Sequence, residues 1–257
     1  MPEIDRSYID YADLVPTLVA RLYDNGYVPS FVVSLQDADG SVRHKTRLGQ
    51  HRNIPLGKEA HPRQVYESIA RSRPTRGVGV QCPVTQNPSL LLCGLDVDFN
   101  DLDPPHYLPL IASVISSPVP CRFGGQGMGL FFTLPVDIDR KRLADYGITG
   151  KMLSKGTRKV ECMGLVELQH MVIPPSRYFN DRPEFVDRNG EQYDWVPFPA
   201  LAPAKVVTLS LFTTPLARLP TLTAQHLMEI SLHCSTAPDK PNAMRDYILG
   251  EPWGGPG

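Results

Sequence analysis

The clearest alternation in the chain runs from Leu90 to Phe99, where Leu91, Cys93, Leu95, Val97 and Phe99 take every second position. Period two is the repeat of a β-strand, so these side chains share one face and Asp96 and Asp98 share the other. An earlier strand, Gly77–Cys82, is joined to it by the Thr85–Ser89 turn. Upstream, residues 9–25 read as a helix ending at Asn25-Gly26, with Pro16 an irregularity within it. A strand over 27–35, the Asp39-Gly40 turn and a helix from Pro62 to Arg73 follow, the last with Val65 and Ile69 four apart. Downstream, residues 105–117 place Leu108, Ile111, Ala112 and Ile115 on one helical face. Strands at 119–123 and 128–134 come next, then a helix over 139–153, a hairpin of strands 159–163 and 167–173 around Gly164, and a helix over 223–234. Helices inserted between strand groups, without strict βα alternation, predict an α+β fold with a largely antiparallel central sheet.

Composition adds bounds. A length of 257 residues suits one large domain or two closely packed modules. No apolar run reaches the ~18 residues of a membrane span, and Met1-Pro-Glu-Ile-Asp5 lacks a signal-like start, so no membrane partner and a cytoplasmic location are expected. The five cysteines (Cys82, Cys93, Cys121, Cys162, Cys234) show no C-x-x-C spacing, which predicts buried free thiols, with no disulfide framework and no zinc site. A net charge of −1 argues against a uniformly basic nucleic-acid binder. The charges are nonetheless sorted: basic residues gather at 43–47, 51–52, 71–76 and 151–159, acidic ones at 94–103 and 181–194. Such sorting suits a protein that holds both phosphates and divalent cations. Residues 250–257 read as a linker or tail.

Asp96 and Asp98 sit roughly 6.5–7 Å apart at the end of an apolar strand, where their charges repel. A divalent cation removes that cost, and hard oxygen ligands suit Mg²⁺ or Mn²⁺. A third carboxylate comes from Lys159-Val-Glu-Cys-Met-Gly164, where Val160 and Cys162 face a core and Glu161 the opposite side; Glu167 is the alternative. Two metals about 3.5–4 Å apart, held by Asp96, Asp98 and Glu161, would activate a 3′-hydroxyl and stabilise leaving pyrophosphate.

Three segments in order resemble the primase-polymerase branch of the archaeo-eukaryotic primase superfamily, of the phage, plasmid and mobile-element type. Gly94-Leu-Asp-Val-Asp-Phe-Asn-Asp101 resembles its first motif, an apolar strand ending in D-h-D. Pro120-Cys-Arg-Phe-Gly-Gly-Gln-Gly-Met-Gly-Leu-Phe-Phe132 resembles the second, an Arg and Gly-rich turn before an apolar strand. Val160–Gly164 with Leu168–Ser176 resembles the third, and Arg188–Trp195 is similar to a T-G-x-x-Y-x-W element that often follows. The likeness spans residues 75–196.

The resemblance implies a primase-like α+β core of two packed modules, one with a sheet of the RNA-recognition type. Residues 1–75 would form the N-terminal module, 76–200 the metal- and nucleotide-binding module, and 201–249 a helical extension. It implies template-directed nucleotidyl transfer with Mg²⁺ or Mn²⁺ at Asp96, Asp98 and Glu161. The implied partners are a single-stranded DNA template, nucleoside triphosphates and a helicase domain or subunit. The second motif lacks the His or Lys that contacts the triphosphate in many relatives. Arg122, Gly124, Gln126, His170 and Arg177 are the nucleotide-binding candidates in its stead. A non-catalytic DNA-binding replication module on the same scaffold is the alternative, and a metal-dependent nuclease a third reading.

Overall fold

The structure, a computed structural model, describes residues 14–36, 42–45, 60–72, 75–98, 111–115, 117–124, 127–151, 153, 160–177, 192–198 and 208–236. The Asp39-Gly40 turn, Gln126 and the 250–257 tail lie outside the described residues, as do the side chains of Asp98 and Cys234.

The chain is α+β with two antiparallel sheets. Helix α1 (Val15–Asp24) leads into β1 (Tyr27–Gln36) and β2 (Val42–Lys45). Pro16 stands in the first turn of α1 rather than disturbing its middle. No intrahelical N–H bond is made there, so a proline costs little. Helix α2 (Arg63–Ser72) precedes β3 (Thr75–Thr85) and β4 (Leu90–Asp98). Residues 111–114 are helical, and β5 (Cys121–Gly124), β6 (Gly127–Pro135) and α3 (Arg140–Asp145) follow. Strands β7 (Val160–Met163), β8 (Gln169–Ile173) and β9 (Asp194–Val196), a short 3-10 helix (Leu216–Arg218) and helix α4 (Ala224–Thr236) follow among the described residues. No helix among the described residues is long and apolar enough to cross a membrane.

The first sheet has the order β2-β1-β3-β8 and the second β7-β4-β6-β5-β9, every pairing antiparallel. The hairpin expected around Gly164 is therefore an arch, and the Thr85–Ser89 turn makes another. β3 and β4 are consecutive yet lie in different sheets, and so do β7 and β8. Gly164 makes the second crossing at φ +85°, against Cys82 of β3 and the Leu92 carbonyl of β4, both 2.8 Å from where a Cβ would stand. A Gly-centred turn marks a reversal of the chain without saying which sheet receives the next strand. Here the edges of the long strands β4 and β3 take β7 and β8 respectively. The helix expected over 139–153 stops at Asp145, with Tyr146 as its C-cap and Gly147 at φ +80° next.

Strand β4 separates two cores. Cys93, Leu95 and Val97 join one cluster with Leu130, Phe132, Val160, Cys162 and α4. Leu92 joins the other with Phe131, Met171, β1, β3, α1 and α2. Both faces of the second sheet are thus covered, and its inner face meets the first sheet.

Candidate functional site

One line of register partners crosses that inner face: Glu161 (β7), Asp96 (β4), Gly129 (β6), Arg122 (β5) and Trp195 (β9). Direct cross-strand partners project to the same side of a sheet. The alternation read in 90–99 therefore holds as far as Val97, and that in 160–163 holds: Leu95, Val97, Val160 and Cys162 are fully buried behind the acids, while Phe99 lies outside the described residues.

The charges in this line are paired. Arg122 Nη2 donates to Asp96 Oδ1 at 2.8 Å, and Lys151 Nζ lies 3.2 Å from Glu161 Oε2. Arg122 reaches Asp96 across the intervening strand because Gly129 has no side chain. A Cβ there would stand 3.0 Å from Arg122 Nε and 2.5 Å from Met171 Cε. The guanidinium also packs over the Tyr193 ring, 4.7 Å from its centroid. Tyr193 is fixed in turn by its backbone N–H, which donates to the Ser176 carbonyl at 2.9 Å. Gly124 permits the approach, since a Cβ on it would stand 2.6 Å from the Tyr193 ring. Trp195 packs against Phe131 and Phe212, with ring centroids 6.0 and 6.2 Å apart.

Among the sequence-derived candidates, the structure brings together Asp96, Glu161 and Arg122, with Gly124 beside them. The backbone of Asp98 is two residues along β4, opposite Gly127. Glu167, the alternative third acid, lies elsewhere: with Val166 and Leu168 it lines a cavity of about 940 Å³ beside the β3–β4 turn. The nearest residue of β4 to line that cavity is Leu91, five residues and so about 17 Å along the strand from Asp96. His170 pairs with Gln81 on the face of β8 opposite to Met171, turned away from the second sheet. Burial pushes its pKa down to about 4. Arg177 bridges to Gln192, next to Tyr193. Among the described residues no group of three or more His, Cys, Asp or Glu side chains forms a metal-holding cluster.

Three neighbours of the acids had no assigned part in the sequence reading. Lys151 belonged to a basic cluster whose target no spacing could reveal. Tyr193 and Trp195 carried a signal, the aromatic positions of the Arg188–Trp195 element, but not their contact with Arg122. Cys82, Cys93, Cys121 and Cys162 are free and buried, as their spacing suggested. No protein-family model matches the chain, and no curated protein matches it.

Proposed function

We propose that this chain is the nucleotidyl-transferring core of a DNA primase-polymerase, making or extending primers on a single-stranded template. The observation that supports it most is the register line. An acid of the first motif, the arginine of the second and the acid of the third stand side by side on one rigid sheet. Two antiparallel sheets packed face to face also suit a primase-like core of two modules.

The donor set fits a hard divalent cation. Asp96 and Glu161 offer carboxylate oxygens from directly opposed positions, and their side chains are 24% and 21% exposed, open to solvent on one side. Together with Asp98 they would hold Mg²⁺ or Mn²⁺. Bound there, the metal supplies the Lewis acidity that activates a 3′-hydroxyl and offsets charge on leaving pyrophosphate. Arg122, on the strand that carries the second motif, takes the place of the missing His or Lys as triphosphate ligand; its planar fork suits phosphate oxygens. Tyr193 and Gly124 hold that fork in position. The basic stretches at 43–58 and 71–76 would contact template phosphates and a helicase would follow in the assembly, the former interaction weakening as salt rises.

The test is primer extension with each nucleotide class in Mg²⁺ and in Mn²⁺. An Asp96→Ala/Asp98→Ala variant should lose incorporation while keeping its circular dichroism spectrum. Undiminished synthesis by that variant would end the proposal. The Asp96–Arg122 and Glu161–Lys151 pairs favour a second reading, a DNA-binding replication module whose acids are neutralised internally. It is the reading to adopt if the unaltered chain binds DNA but neither Mn²⁺ nor nucleotide.

A further inference from the structure

We infer that Arg122 is a latch on the candidate metal site: its guanidinium holds Asp96 while no divalent cation is bound, and passes to the triphosphate once a cation takes the carboxylate. The inference rests on the nucleotidyl-transfer reading and adds a coupling between metal and nucleotide that the register line alone does not contain.

The Asp96 contact leaves the guanidinium incompletely used. Its Nη2 holds Asp96 Oδ1 at 2.8 Å, while the Tyr193 face beneath it offers no oxygen acceptor. Arg122 Nε is buried without a hydrogen-bond partner, on a side chain only 8% exposed. Trp195 Nε1, on the next residue of the same register line, is likewise buried without one. Buried donors almost always find acceptors, so these two orphans on adjacent positions of the line are donors that Asp96 leaves unsatisfied. Met171 covers Arg122 Nε. Met171 places its methyl above Gly129 beside that nitrogen, and methionine is unbranched with three rotatable bonds.

The competition follows from charge. Asp96 is 24% exposed, so a cation arriving from solvent reaches the carboxylate that Arg122 holds. A divalent ion and a guanidinium repel each other across that carboxylate, so each weakens the other's hold on it. A polyanion is the partner that lets the guanidinium leave without losing its charge compensation. Glu161 has a different guard, Lys151, whose side chain is 36% exposed and free to turn into solvent.

Two equilibrium titrations test the latch, neither needing turnover. With Mn²⁺ alone, an Arg122→Gln variant should bind the metal about fivefold or more tightly than the unaltered chain, at the lower end of ordinary site coupling. With adenosine triphosphate in excess EDTA, an Asp96→Asn variant should bind the nucleotide about fivefold or more tightly, because its guanidinium is released without any metal. Glu161→Gln removes the same charge from the same line while leaving Arg122 latched, and should gain clearly less. Unchanged or weaker Mn²⁺ binding by Arg122→Gln would overturn the latch. So would equal gains for Asp96→Asn and Glu161→Gln, a comparison that decides alone if Arg122→Gln does not fold. The underlying reading fails separately, and the latch with it, if Mn²⁺ binding to the unaltered chain is insensitive to Asp96→Asn.

Discussion

A strand's two faces can give neighbouring residues opposite fates, and β8 shows this with His170 and Met171. Met171 enters the core between the sheets, while His170 lies on the opposite face, largely buried among neutral surroundings that push its pKa down to about 4. Its place, turned away from Asp96, sets it apart from Arg122 and Gly124. The lowered pKa has a consequence for stability. In the unfolded chain a histidine titrates near 6.5, so between about 6.5 and 4 unfolding takes up a proton. The contribution is complete above pH 6.5 and is lost as pH falls toward 4, by at most about 1.4 kcal/mol per pH unit. Urea unfolding at pH 7.5, 6 and 5 should therefore show a steeper loss of stability for the unaltered chain than for His170→Gln. Parallel losses in the two proteins would show that the imidazole is not held neutral by burial.

At the scale of elements, the close approach of the two sheets depends on glycines under one methionine. A Cβ on Gly94 would stand 1.8 Å from Met171 Sδ, and one on Gly129 2.5 Å from its Cε. Gly94→Ala forces Met171 out of its seat, an overpacking that costs about 1–3 kcal/mol. Met171→Ala leaves a cavity and costs about 2–5 kcal/mol. The double variant should cost less than the sum of the two, by about 0.5–3 kcal/mol, because the added methyl occupies the vacated space. Guanidinium unfolding of all three proteins measures this, and strict additivity would place the contact elsewhere. The same elements show what was legible in the sequence. The faces of β4 and β7 followed from period two alone. The pairing of β7 with β4 and of β8 with β3 did not, because a turn carries no record of which sheet edge lies within reach.

The whole molecule is closed by a segment for which the sequence suggested only a helical extension. Residues 208–222 run along both sheets. Tyr27 Oη donates to the Thr214 carbonyl at 2.7 Å, Asn25 Nδ2 to the Leu211 carbonyl at 2.9 Å, and Leu216 N–H to the Asn25 carbonyl at 2.8 Å. Further on, Thr133 N–H of β6 donates to the Pro220 carbonyl and Leu222 N–H returns a bond to the Thr133 carbonyl, each at 2.9 Å. Leu211, Leu216 and Leu219 fill the core shared by the first sheet, and Leu222, Leu227 and Ile230 the core behind the second. Each such side chain contributes about 1.5–3 kcal/mol on burial, so six together rival the entire stability of an ordinary domain, about 5–15 kcal/mol. A chain ending at Val207 should accordingly show no cooperative thermal transition, whereas one ending at Thr236 should keep it. A sharp transition in the shorter chain would show that the strap is dispensable.

The sequence by itself determined the strands other than β2 and β9, the faces of β4 and β7, the four free buried thiols of the described residues and the candidacy of Asp96, Glu161 and Arg122. These are local matters, set by side-chain period and by the cost of burying charge. Only the tertiary structure decided that Glu161 rather than Glu167 stands opposite Asp96, that Arg122 crosses Gly129 to reach it, and that Lys151, Tyr193 and Trp195 surround them. Each of those contacts joins residues distant along the chain, and which strand edges meet is an outcome of packing two sheets into the smallest volume their side chains allow.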